Sequence, residues 1–127
     1  MVIGEAAKAA GLPTKTVRYY AEIGLVTPAG RSAAGYREYS PSEIKKLAFI
    51  RRARSFGFSV EECRELLALY EDPARSSADV KRIAGERLAE IEAKQRELQA
   101  LHDTLTHLVS TCRGDNRPDC PIIDYLS

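Results

Sequence analysis

No apolar run in this 127-residue chain approaches the roughly 18–20 residues that a membrane-spanning helix needs. The N-terminus places Glu5 ahead of any basic residue and has no long apolar core. No signal peptide is therefore expected, and the expected location is cytoplasmic. Cysteine is scarce and odd in number: Cys63, Cys112 and Cys120 do not make the disulfide framework of a small secreted domain. No C-x-x-C motif joins them and no general base stands out beside them, which speaks against a thiol–disulfide enzyme. Proline is missing from Ser77 to Ser110, where Gly85 is the one glycine. So long a stretch without breakers points to one extended helix.

What the chain does contain suits a globular protein: 44% hydrophobic and 29% charged residues, enough for a small domain plus one long helix. The net charge of +1 hides an asymmetry. Residues 1–54 hold ten Lys/Arg against four Asp/Glu, and the remainder nine against fourteen. A basic front half suits a polyanion, although a solvated basic face would give the same count.

Ile3 to Ala10 carries apolar residues at helical spacing, and Gly11-Leu12-Pro13 breaks it. Thr14 is the expected cap of a second helix running to about Ile23, with Gly24 behind it. Two short helices around a tight turn make a helix-turn-helix. The second would present Lys15, Arg18 and Tyr20 to phosphates and groove edges. Residues 25–39, with Pro28, Gly30, Ser32 and Gly35, suggest a small β-hairpin, a wing, in which Tyr36, Arg37 and Tyr39 interleave aromatic and basic groups. Some of these tyrosines are expected to do no more than pack. Ser40-Pro41-Ser42-Glu43 is a helix start with a capping box, and Gly57 ends that helix. Ser59-Val60-Glu61-Glu62 repeats the pattern for another helix, in which Cys63 is expected as a small, partly buried filler.

Asp72 to Ser76 is a breaker and a boundary. Beyond it, Ala84, Ile91, Leu98 and Leu105 recur every seven residues, with Val80, Leu101 and Leu108 in a second row that Arg87 and Lys94 interrupt. A second copy of the same helix would cover this stripe, as an antiparallel or parallel coiled coil. After Ser110, Cys112 and Cys120 bound a loop, and Pro121 to Leu126 offers an apolar cover. Two soft sulfurs with no third donor in the loop suit a linear monovalent ion such as Cu(I), whereas zinc asks for four ligands. A disulfide or two idle thiols would fit the same spacing.

The chain resembles the MerR family of metal-responsive regulators, and within it the copper-efflux branch, the CueR/HmrR type. The resemblance rests on Val17-Arg18-Tyr19-Tyr20-Ala21-Glu22-Ile23-Gly24-Leu25-Val26, on Arg31 with Gly35-Tyr36-Arg37, and on Arg51-Arg52-Ala53-Arg54-Ser55-Phe56-Gly57-Phe58. It rests further on Asp72-Pro73, on Ser77 to Lys81, and on Cys112 to Cys120 followed by Pro121-Ile122-Ile123. It implies a mainly α fold: a winged helix-turn-helix DNA-binding domain over 1–72, a linker and long antiparallel coiled-coil dimerisation helix over 73–110, and a metal-binding loop with its cover over 111–127. It also implies DNA contacts from Lys15, Arg18, Tyr20, Arg31, Tyr36, Arg37 and Arg54. Cys112 and Cys120 would ligate Cu(I), with Ag(I) or Au(I) in the same chemical class, and Ser77 and Lys81 would stand behind the site. The implied activity is that of a homodimeric activator, not an enzyme. It would distort the spacer of double-stranded promoter DNA for RNA polymerase, with no membrane partner. A regulator of zinc or mercury, or a thiol redox switch, is the alternative.

Overall fold

The computed structural model describes residues Met1–Ser127. Two short helices, α1 (Ile3–Ala10) and α2 (Thr14–Glu22), precede a two-stranded antiparallel hairpin, β1 (Gly30–Arg31) with β2 (Arg37–Glu38). Gly30 pairs with Glu38 and Arg31 with Arg37. Then follow α3 (Pro41–Ser55), α4 (Val60–Glu71), the long α5 (Ser77–Thr111) and a final α6 (Pro121–Leu126). The chain is mainly helical, as its periodicity predicts. Residues Met1–Ala84 form one compact unit and Gly85–Ser127 a second.

In the first unit, Ala6, Ala7, Ala10, Val17, Tyr20, Leu25, Val26, Tyr39, Leu47, Ile50, Cys63, Leu67 and Ile83 close a single core. Alanines on α1 let its backbone approach α2 and α3 closely. Both predicted capping boxes are present. Glu43 accepts from the Ser40 amide at 2.9 Å and from its hydroxyl. Glu62 accepts from the Ser59 amide while Ser59 Oγ accepts from the Glu62 amide. Such caps stabilise by about 0.5–2 kcal/mol each.

The start of α2 differs from expectation. Pro13, not Thr14, is the N-cap residue. Its carbonyl accepts from Thr16 and Val17 at 3.0 and 3.2 Å, so Thr14 already lies inside the helix and its hydroxyl makes no cap.

Neither α1 nor α2 is long enough to stand alone, and each is held at its C-terminus from a distance. Arg51 Nε on α3 donates to the Ala10 carbonyl at 3.1 Å. Arg64 on α4 donates to the Ile23 and Gly24 carbonyls at 3.1 and 3.2 Å. Both guanidiniums sit where the helix dipole is negative and the last carbonyls lack partners. Gly11 adjoins the first of these. Its φ is +75°, and a Cβ there would lie 3.3 Å from Arg51 Nε. Gly11→Ala should therefore cost about 1–2 kcal/mol from backbone strain, plus any loss of the Arg51 contact. A urea melt showing an unchanged midpoint would contradict this account.

In the second unit α5 runs on to Thr111, and Leu108 is buried. Leu98, Leu101 and Leu105 are exposed, Leu98 at 55% and Leu105 at 51%. The cover expected from Pro121 onward is a six-residue helix, and it covers little: Pro121 and Ile122 are half-buried, while Ile123, Tyr125 and Leu126 stand open. Pro121 supplies the preset φ of a first helical position, which turns the segment helical and throws those side chains outward. No helix is long and apolar enough to cross a membrane.

Candidate functional site

The first unit offers a basic face. On α2, Lys15, Arg18, Tyr19 and Glu22 are exposed, whereas Val17 and Tyr20 are buried. Helical spacing explains the division, since positions i, i+3, i+4 and i+7 share one side. Tyr20, expected among the presented residues, is only 5% exposed and belongs to the core. Tyr19, which the sequence reading passed over, is 50% exposed. The signal was present in the spacing: Tyr19 lies four residues beyond Lys15, Tyr20 three beyond Val17.

The wing lies beside this face. Arg18, Arg31, Gly35, Tyr36 and Arg37, with Val2 and Ile3, line a cleft of about 230 Å³. The wing's tip is tightly turned. Ser32 Oγ accepts from the Tyr36 amide at 3.1 Å, the Ser32 carbonyl from the Gly35 amide at 2.9 Å, and Arg31 donates to the Gly35 carbonyl at 2.8 Å. Gly35 has φ +85°, where a Cβ would crowd the following carbonyl. Tyr36 projects from this tip into solvent. Arg18, Arg31 and Arg37 thus border one concavity together with the Tyr36 ring, a grouping of basic and aromatic side chains that suits the sugar-phosphate backbone. Tyr39, by contrast, is buried, and its phenol is pushed up by burial, with Arg37 opposing. Arg54 is exposed at the end of α3, where it donates to the Phe58 carbonyl at 2.7 Å.

The second unit brings Cys112 and Cys120 together. Their Sγ atoms are 3.5 Å apart, and both thiols are free and half-buried. The intervening loop is drawn in by Arg117, which donates to the Asp115 carboxylate at 2.9 and 3.0 Å and holds it below the usual carboxylate range. Cys120 caps α6. The Ile123 amide, then the Cys112 thiol, lower the Cys120 thiol from its ordinary value, with Ile122 adding to the effect and Asp124 opposing it. A lowered thiol favours the thiolate, the form that binds soft metals. No cluster of three or more His, Cys, Asp or Glu side chains capable of holding a metal exists in the chain, so within one copy these two sulfurs are the candidate donor pair. Cys63 differs in kind: it is fully buried in α4, and burial raises its thiol. Ser77 and Lys81 are exposed on the first turns of α5.

Known proteins of similar sequence and fold identify the family. Residues 1–69 match the model of the MerR HTH family regulatory proteins, and residues 44–108 that of the MerR DNA-binding region. The HTH-type transcriptional regulator HmrR of Rhizobium leguminosarum is 57% identical over the whole chain and 98% of the relative. The HTH-type transcriptional regulator CueR of Salmonella typhimurium is 50% identical over the whole chain and 92% of the relative. Among solved structures, the transcription regulator PbrR691 of Ralstonia metallidurans, in complex with lead(II), superposes with a TM-score of 0.84 at 32% identity, covering 100% of this chain and 99% of that one. The chain belongs to the MerR family of helix-turn-helix regulatory proteins, and is a DNA-binding transcriptional regulator rather than an enzyme.

Proposed function

We propose that this regulator senses Cu(I), or the equally soft monovalent Ag(I) and Au(I), and activates promoters for copper efflux or detoxification. The observation that carries the reading is the pair of free thiols 3.5 Å apart at the two ends of one short loop. Two soft sulfurs without a third donor match the low coordination number of a d¹⁰ monovalent ion better than they match zinc. The lead(II) bound by PbrR691 supports metal sensing in general. The resemblance to the CueR/HmrR branch supports copper in particular.

The chain works as a homodimer through α5, paired as an antiparallel coiled coil, and sits in the cytoplasm on double-stranded promoter DNA with RNA polymerase. Residues 1–72 read DNA, 73–110 link and dimerise, and 111–127 hold the metal. Lys15, Arg18, Arg31, Tyr36, Arg37 and Arg54 contact the duplex. Tyr20 holds the recognition helix from the core side. Ser77 and Lys81 stand beside the metal loop of the other subunit, where the ammonium offsets the net negative charge of a bis-thiolate ion. Activation is a population shift: the metal must favour the form that distorts the promoter spacer. Bending a site of this kind costs on the order of 1–6 kcal/mol, which ordering of the loop helps to offset.

Titration under reducing conditions with Cu(I), Ag(I), Zn(II) and Hg(II) tests the metal, followed by X-ray absorption of the loaded dimer. One Cu(I) per subunit with two sulfur neighbours is expected. Three or four neighbours, or tighter binding of the divalent ions, would overturn the reading. Ser77→Cys should broaden the response toward divalent ions, because it adds a third thiolate. On the DNA side, Arg18→Ala should weaken operator binding and spare dimerisation. The wild-type log affinity should fall with log salt by about 0.9 for each phosphate neutralised. A salt-independent affinity would remove the phosphate contacts from the account.

A further inference from the structure

The exposed stripe of α2 holds four side chains of three chemical kinds: two cations, Lys15 and Arg18, one carboxylate, Glu22, and one aromatic ring, Tyr19. At about 100° per residue, Lys15 and Glu22 occupy the middle of the stripe, and Arg18 and Tyr19 form its two borders. Arg18 borders the wing, whose arginines line the same cleft. Tyr19 is absent from that lining and forms the opposite border. Its ring is tilted 47° against that of Tyr20 at a centroid distance of 6.0 Å. Tyr20 is buried, so a fixed neighbour limits where the Tyr19 ring can point. The result is a half-exposed apolar surface held in place on a helix that otherwise presents only charge.

We infer that Tyr19 is a specificity-determining residue that packs its ring against the 5-methyl group of a thymine in the major groove. The argument is one of matching chemistry. The other distinguishing groups of the major-groove edge are hydrogen-bond donors and acceptors, and the thymine methyl is its one projecting apolar group. Cations on the stripe serve phosphates and guanine edges. The phenol can still reach a phosphate, but the face of the ring serves neither, and its exposure is costly until something apolar covers it. The inference rests on α2 being the groove-reading helix, as proposed above.

The test uses the full-length protein without added metal, under reducing conditions, and a library of random DNA duplexes. Sites are selected by wild type, Tyr19→Ala, Tyr19→Phe and Lys15→Ala. Each thymine of the wild-type site is then replaced by deoxyuridine, which removes the methyl and nothing else. Wild type and Tyr19→Phe should select the same thymine in each half-site and lose about fourfold in affinity for each methyl removed there. Tyr19→Ala should lose that preference and bind the thymine and deoxyuridine duplexes alike. The inference is overturned if Tyr19→Ala still selects that thymine and suffers from deoxyuridine as wild type does. It is equally overturned if Tyr19→Phe behaves like Tyr19→Ala, which would make the hydroxyl the contact. If Lys15→Ala changes the selected sequence and Tyr19→Ala does not, the assignment of Tyr19 alone fails. If neither changes it, α2 does not read the groove and the wider assignment of this face falls too.

Discussion

Cys112→Ser and Cys120→Ser should each abolish the transcriptional response to Cu(I) while leaving promoter affinity within about twofold of wild type. A serine oxygen is hard and stays protonated at neutral pH, so either change leaves a single soft donor. Metal affinity should fall by more than about a hundredfold, since the loss of outer-shell partners alone can reach that size. The pair sits in the second compact unit and the basic face in the first, which is why the two activities should separate. Cys63→Ala is the appropriate control, because Cys63 is sealed in the core and a serine there would bury a hydroxyl. Reporter assays across a copper series, with anisotropy on the same promoter, would read both quantities. A Cys112→Ser protein that still responds to copper would dispose of the bis-thiolate site.

The second large effect concerns assembly. Leu98→Asp combined with Leu105→Asp should convert the dimer into monomers. Both leucines are more than half exposed on α5 of a single copy, and the seven-residue repeat puts them on one stripe. A symmetric dimer buries each of them twice. Dimerisation can bury only the roughly half of each side chain still exposed, so at about 1.5–3 kcal/mol for a whole leucine, losing all four raises the dissociation constant by about two to four orders of magnitude. Four carboxylates facing one another would raise it further. Operator affinity should collapse with the dimer, because one half-site contributes too few contacts. Sedimentation at micromolar concentration checks this directly, and a wild-type chain that runs as a monomer would contradict the proposed assembly.

Much of the fold is written locally. Ser40 with Glu43 and Ser59 with Glu62 announce two helix starts, Gly57 with φ +84° marks a helix end, and the heptad stripe reveals α5. These signals span one or two helical turns and need no tertiary information. What was not legible depends on distant partners or on close competition. Tyr19 and Tyr20 are adjacent and chemically identical, and their helical spacing from Lys15 and Val17 tells them apart only once the buried side of α2 is known. Thr14 is an excellent cap by type, yet Pro13 preempts it by where its carbonyl points. The arginine contacts to Ala10, Ile23 and Gly24 join residues 40 or 41 positions apart, a separation that no local pattern encodes. At the loop between Cys112 and Cys120, spacing alone allowed an ion, a disulfide or idle thiols. The structure adds proximity and a lowered Cys120 thiol.

The arginine clasps also have a consequence for synthesis. The carbonyls that Arg64 holds belong to residues 40 and 41 positions earlier. A ribosome adding roughly 5–20 residues per second needs roughly two to eight seconds to cover that interval. Through most of it α1 and α2 exist as a nascent segment without the Arg64 clasp or the part of the core that α4 supplies, and only in its later part do Arg51 and α3 join the chain. Nascent chains arrested before Arg64 emerges should therefore be cut within Thr14–Glu22 as readily as an unstructured peptide, and chains arrested after α4 has emerged should resist. Protection of the earlier intermediates would show that the two helices fold without their clasps. Until the second clasp closes, each newborn regulator offers the cell a loose cationic tail and no reading head.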